Sequence, residues 1–193
     1  MAATGGGRPE IAEIVRLARS RAAAAGATRV VAVDGRSGSG KTSLATALRA
    51  ALGAPAVSLE YLYGGWDGLD RGIDLLVSAV LEPLAAGRAA PVPRYDWAAA
   101  AWGAPRLLEP PEVLVVEGVG AGAQRAAAYE SVLIWMEAPA SVRKKRALNR
   151  DGDTFAPYWG TWAAQEDAML ARERTPQRAD VVIDGITGHI LRS

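Results

Sequence analysis

Apolar positions fall along the chain in two rhythms, one that suits helices and one that suits buried strands. Residues 9–25 place Ile11, Ile14, Val15 and Ala18 at helical spacing, with Glu10, Glu13, Arg16 and Arg19 largely opposite, which predicts an amphipathic helix over one edge of a sheet. Pro9 suits its first turn and Gly26 its stop. Unbroken apolar runs, the mark of strands covered on both faces, occur at 29–33, 56–59, 112–118, 131–136 and 179–185. Between them lie helical patterns: after residue 42 to about 52, over 73–84, from Pro139 past Arg150, and over 161–174. In 73–84 the stripe Leu76, Val77, Val80, Leu81 and Leu84 is core, and Glu82-Pro83 marks a boundary or kink. Strands alternating with helices predict an α/β domain with a mainly parallel sheet.

Two stretches break the rhythm. Residues 87–111 carry five prolines, Tyr95-Asp96-Trp97, a run of alanines and Trp102, and read as irregular structure or a hairpin near the site. Its aromatics are either packing pieces or the walls of a pocket for a flat ring. Residues 152–160, with Phe155, Pro157, Tyr158 and Trp159, read as a short loop.

Length and charge narrow the picture. A chain of 193 residues suits one substantial domain, taken as 9–193 after a flexible leader at 1–8 that contains Thr4 to Gly7. Its hydrophobic share of 50% supports a core and excludes bulk disorder. Net charge is +1, so no basic excess points to nucleic acid. No apolar run reaches the roughly 18–20 residues that span a bilayer, and no membrane partner is expected. The absence of cysteine removes disulfides and thiolate metal sites and suits a cytoplasmic location.

Chemistry enters with Gly35-Arg36-Ser37-Gly38-Ser39-Gly40-Lys41-Thr42, followed by Ser43, between the first strand and a helix. It fits G-x-x-x-x-G-K-[ST], a loop whose glycines let successive backbone N–H groups approach a polyanion at a helix N-terminus. Lys41 would reach the β and γ phosphates and Thr42 would ligate Mg²⁺, which predicts ATP or GTP binding. Asp34, at the strand's end, either positions metal or substrate or shapes the turn. Glu60 and Glu117 follow the C-terminal ends of two strands, where open α/β sheets bind ligands. Glu117 is a candidate for Mg²⁺ or for orienting the attacking group. Arg143, Arg146 and Arg150 fall at i, i+3 and i+7, on one helix face, and together with 161–174 suggest a lid at about 143–174. Lys144, Lys145 and the single histidine, His189, read as surface.

In this order the motifs resemble the uridine kinase and phosphoribulokinase group of P-loop kinases, over about 30–185. Glu60-Tyr61-Leu62-Tyr63 is similar to the family's Asp-x-Phe-Tyr segment, and Pro93-Arg94-Tyr95-Asp96-Trp97 to its Pro-x-Tyr-Asp-Phe segment. Val115-Val116-Glu117-Gly118 is similar to its hydrophobic-Glu-Gly strand end, and Arg143, Arg146 and Arg150-Asp151 to its lid arginines. The resemblance implies a P-loop NTPase fold: a three-layer α/β/α sandwich with a mainly parallel five-stranded sheet and a small helical lid. It implies ATP and Mg²⁺, with Glu60 as base and Lys41, Arg146 and Arg150 over the transferring phosphoryl group. The implied acceptor is a nucleoside such as uridine or cytidine, held by Tyr63, Trp66, Tyr95, Asp96 and Trp97. Relatives often form homo-oligomers. Three departures stand out: Glu60 replaces aspartate, Ala98 to Ala101 replace a histidine and an arginine, and 152–160 lacks the usual charged residues. A nucleoside monophosphate kinase, for which Arg94 and Arg106 are the available arginines near Tyr95, another small-metabolite kinase, and an ATP-binding module without transfer activity remain open.

Overall fold

The structure, a computed structural model, describes residues 8–193. The leader expected at 1–8 lies, but for Arg8, outside the described residues. The central sheet has six strands in the order β2-β5-β1-β6-β7-β8. Its elements are β1 (Arg29–Gly35), β2 (Ala56–Ser58), β5 (Val113–Glu117), β6 (Val132–Glu137), β7 (Val181–Asp184) and β8 (Ile190–Arg192). The first five run parallel, and only β8 pairs antiparallel, on β7. This short sixth strand is an addition to the five expected.

Side-chain alternation along β1 divides the core. Val31 and Val33 pack with Val115 and Ile134 against Ile14 of α1 (Arg8–Ser20) and Leu48 of α2 (Lys41–Leu52). Val30, Leu114 and Val116 face the other way, towards α3 (Leu69–Leu75) and α6 (Trp159–Glu173). Helices therefore cover both faces, which is why the strands read as unbroken apolar runs.

Several helices differ from their expected limits. The first ends at Ser20, not 25, because Ala24 and Ala25 turn back to bond the Thr28 carbonyl. The helix expected at 73–84 starts earlier, as α3, widens into a π-helical turn (Leu76–Leu81) and closes as α4 (Glu82–Ala85). Pro83 has no N–H for the preceding turn, and the wider turn ahead of it accommodates the ring. The segment 87–111 is a hairpin of β3 (Ala90–Asp96) and β4 (Ala101–Leu108), with a register shift around Pro93. The loop expected at 152–160 is instead helical. Here α5 (Ala140–Phe155) continues through a break at Gly152 (φ 52°, ψ −133°), then a 3₁₀ turn (Ala156–Tyr158) leads into α6. A short α7 (Thr175–Arg178) precedes β7.

A half-buried acid makes stability depend on pH. Glu130, just before β6, has an Oε1 sealed from solvent with no hydrogen-bond partner among the described residues. Burial raises its pKa from 4.5 to about 8, opposed by Arg178 and reinforced by Asp34 and Asp180. The folded protein thus keeps a proton that the unfolded chain releases above about pH 4.5. Stability from this group is highest below that value and falls, by about 1.4 kcal/mol per unit, as pH rises towards about 8. Glu130→Gln is expected to flatten this slope and raise the thermal midpoint at about pH 8. Melting curves of both proteins across the interval check it.

Candidate functional site

Between β1 and α2 the chain turns through Gly35, Gly38 and Gly40, with φ of 151°, 78° and 108°. Gly38 lies so close to α5 that a Cβ there would stand 2.2 Å from the Arg143 carbonyl oxygen. No side chain caps α2. Among the described residues, no hydrogen bond occupies the amide N–H of Gly38, Gly40, Lys41, Thr42 or Ser43. The result is an open cup of donors at the positive end of a helix, a ready-made anion site. Lys41 is 8% exposed and folds over the loop, donating from Nζ to the Arg36 carbonyl at 3.0 Å. Burial lowers its pKa, while Glu117, Glu166, Asp34 and Glu60 pull the other way.

Carboxylates frame the cup in different ways. Asp34 is fully buried, and its two oxygens accept from the amides of Gly35, Gly120 and Gly122 at 2.6, 3.0 and 2.9 Å. Burial still pushes its pKa up to about 6. Of its two expected roles, the structure gives it the turn: it ties the start of the loop to the segment after β5. Glu117, at the end of β5, accepts from Thr42 Oγ1 at 3.5 Å. Burial raises its pKa, opposed by the Ser58 hydroxyl and Lys41. A hydroxyl and a carboxylate side by side suit Mg²⁺, which takes one or two protein oxygens and completes its shell with water and phosphate. Among the described residues no group of three or more His, Cys, Asp or Glu forms an all-protein cation cage.

Glu60 lies in a 3₁₀ turn (Leu59–Tyr61) directly after β2. Leu59 and Leu62 are wholly buried and pin the turn, leaving the Glu60 side chain 52% exposed. It pairs with Arg150 Nη2 at 3.4 Å, and its carbonyl accepts from Trp97 Nε1 at 2.9 Å. Arg146 donates to the Gly185 carbonyl at 2.8 Å.

A cavity of about 710 Å³ brings these parts together: Ser37, Gly38, Gly40, Lys41, Thr42 and Ser43 on one side, Glu60, Arg146 and Arg150 on another, and Tyr63, Trp66 and Trp97 among its walls. Tyr63 is buried and donates its hydroxyl to the Val119 carbonyl at 3.0 Å, and burial raises its pKa well above the usual phenol range. Trp66 stacks on Phe155 and Tyr158, with ring centres 5.1 and 4.8 Å away. Gly35, Arg36, Ser39, Glu117, Tyr95 and Asp96 do not line the cavity. Asp96 closes the hairpin by accepting from the amides of Ala98 and Ala99. Tyr95 packs edge-on to Trp97 and Trp102. Arg143 does not share the cavity face with Arg146 and Arg150. It is buried beneath the loop, donating to the carbonyls of Ala138 and Ser37.

Two residues outside the sequence motifs hold the loop in place. Glu166 of α6 is 1% exposed and accepts from Arg36 Nε, the Ser37 amide and Trp162 Nε1 at 3.0, 2.8 and 3.0 Å. Trp162 Nε1 also donates to Ser37 Oγ at 2.9 Å. The sequence carries a signal for them: Trp162, Glu166, Met169 and Glu173 share the buried stripe of α6, so an acid falls at an apolar position.

Five parallel strands flanked by helices, with a glycine-rich loop running from the first strand into a helix N-terminus, are the architecture of the P-loop small-molecule kinases, and this chain has that fold. A possible uridine kinase of Bacillus stearothermophilus superposes with a TM-score of 0.68 at 21% identity, over 92% of this chain and 98% of that one. A candidate fructose transport system kinase of Silicibacter sp. TM1040 superposes with a TM-score of 0.55 at 19% identity, over 88% and 94% of the two chains. At these identities the likeness is one of fold. No protein-family model matches the sequence, and no curated protein matches it at a significant level. No helix among the described residues is long and apolar enough to cross a membrane.

Proposed function

We propose that this chain is a Mg²⁺-dependent kinase that moves the γ-phosphoryl group of ATP to a hydroxyl of a small molecule, with a nucleoside such as uridine or cytidine as the first candidate. The observation that carries the reading is the shared cavity: the amide cup with Lys41 and the carboxylate of Glu60 open onto one space, with Arg146 and Arg150 over it. The free amides and Lys41 hold the triphosphate, Lys41 exchanging the Arg36 carbonyl for phosphate oxygens. Thr42 and Glu117 would hold the metal, which would supply positive charge to the phosphate groups. Glu60 accepts the hydroxyl proton as the acceptor oxygen bonds to the γ-phosphorus and the bond to the β-phosphate oxygen breaks, releasing ADP. Arg150 must leave Glu60 for this, a small cost because both partners of the pair are half exposed. Arg150 and Arg146 are then available to offset charge on the equatorial oxygens, which is where this chemistry gains its rate.

For the acceptor, Trp66 and Trp97 offer ring surfaces, and the match to a possible uridine kinase points the same way. Tyr95 and Asp96 would act from behind that wall. A cysteine-free chain fits a cytoplasmic setting. The second reading, an ATP-binding module without transfer, has the Glu60–Arg150 pair in its favour, since it engages base and arginine with each other. ADP release measured across nucleosides, sugars and nucleoside monophosphates separates the two, and also tests the monophosphate-kinase and other small-metabolite variants. Turnover with a nucleoside is expected. If ATP binds and no compound lifts ADP release above background hydrolysis, the transfer reading is lost to the binding module.

A further inference from the structure

A second cavity, of about 300 Å³, adjoins the first at Thr42, and of the residues in the scheme above it shares only Thr42 and Glu117. That volume is at the lower end for small-molecule sites. Helix α2 presents Thr42, Ala45, Thr46 and Arg49 to it, positions at i, i+3, i+4 and i+7 on one face. The hairpin supplies Arg94 from β3 and Arg106 from β4, and Ser58 and Tyr61 complete the polar lining. Three exposed arginines from three separate elements therefore line one small space, against a single lining carboxylate, Glu117.

Several arginines elsewhere meet carboxylates: Arg21 pairs with Asp180, Arg36 with Glu166 and Asp167, and Arg125 with Asp70. Among the described residues none of the three at this cavity has an ion pair. Arg94 lies over the Tyr61 ring at 5.1 Å, which steadies the plane of its guanidinium and leaves its N–H edge free to donate. Arg106 Nη2 reaches only the Ala56 carbonyl, at a long 3.4 Å. Like charges gathered without partners cost energy that an anion would offset. Planar forks from several sides match a tetrahedral oxyanion with more than one charge.

We propose that this cavity binds the phosphate group of a small phosphorylated molecule. The group belongs either to the phosphoryl acceptor, reaching in beside Thr42, or to a separate effector, inorganic phosphate included. The site lies along the flank of α2, beside the amide cup with Thr42 between them, and does not depend on the transfer reading.

The test uses the full chain saturated with Mg·AMP-PNP, so that the cup is filled, and titrates ribose 5-phosphate or inorganic phosphate against chloride at matched ionic strength. The thermal midpoint of the wild type is expected to rise. In the double variant Arg49→Gln/Arg106→Gln the apparent affinity for the phosphate probe falls roughly tenfold or more, the scale set by lost charge-assisted hydrogen bonds, while AMP-PNP binding is unchanged. Lys41→Ala, probed without nucleotide, keeps the phosphate response. A wild type that does not respond overturns the site, and so does a double variant that responds equally. A response lost in Lys41→Ala and kept in the double variant overturns it too, because the probe would then be filling the cup. With Mg·ATP in place of the analogue, ADP release that requires the phosphorylated probe assigns the group to the acceptor; a midpoint shift without ADP release assigns it to an effector. Phosphate binding that persists where no compound supports ADP release would remove the kinase reading and leave this site standing.

Discussion

Gly38→Ala is expected to abolish nucleotide binding while leaving a folded, weakened protein. Two effects combine at this position. The backbone sits at φ 78°, in the left-handed region, which costs a residue with a Cβ about 1–2 kcal/mol. The new methyl would also stand 2.2 Å from the Arg143 carbonyl oxygen and 2.8 Å from its carbonyl carbon, both backbone atoms. Arg143 has little freedom to yield. Its amide bonds the Pro139 carbonyl, its side chain bonds the carbonyls of Ala138 and Ser37, and Glu166 lies 3.9 Å from its guanidinium. The methyl is therefore relieved by moving the loop, which turns the free amides out of register. Gly53→Ala separates strain from collision: Gly53 has φ 65° at the end of α2, and nothing lies within 4 Å of a Cβ there. That control is expected to lower the thermal midpoint modestly and bind Mg·ATP as the wild type does. Isothermal titration beside melting curves checks both variants, and a Gly38→Ala protein that binds nucleotide normally contradicts this account of the loop.

The parts of the fold that sequence made legible are those decided locally. β1, β5 and β6 are buried on both faces, so their apolar runs are unbroken, and the phosphate loop is eight contiguous residues with its strand and helix attached. β8 was illegible for the opposite reason: Leu191 is 60% exposed, and three residues give no pattern. The loop expected at 152–160 is helical because one residue, Gly152, absorbs the break, and Phe155 is drawn onto Trp66. Contacts distant in sequence left no local trace. The Ser37 amide and Glu166 are separated by 129 positions, and only the folded chain brings α6 down onto the loop. For the arginines of α5, helical spacing gave the face but not the depth. Seven residues of helix advance about 10 Å, enough to put Arg143 under the loop and Arg150 beside Glu60. In the hairpin, neighbours in sequence have separate duties: Trp97 reaches the cavity wall, while Asp96 closes the turn.

Glu60→Gln is expected to lower turnover by about 10²- to 10⁴-fold, the usual contribution of a positioned general base, with little change in nucleotide affinity. Glutamine keeps the size and the Arg150 contact in neutral form but cannot take a proton. The backbone should hold, because the turn is fixed by Leu59 and Leu62 in the core, by Ser58 Oγ accepting the Glu60 amide at 3.4 Å, and by Trp97 on the Glu60 carbonyl. None of these uses the carboxylate. The length of the arm matters separately. Glu60→Asp keeps the charge but withdraws it by one methylene, and a misplacement of about 1 Å costs on the order of 10²-fold. The aspartate variant is therefore expected to be slow through kcat, unless the glycines at 64 and 65, both at positive φ, let the following segment shift and restore the reach. Steady-state ADP release by the three proteins, with ATP and acceptor varied independently, checks this. A glutamine variant that turns over within a few-fold of the wild type would mean that the proton leaves by another path, and Glu60 would then serve only to hold Arg150.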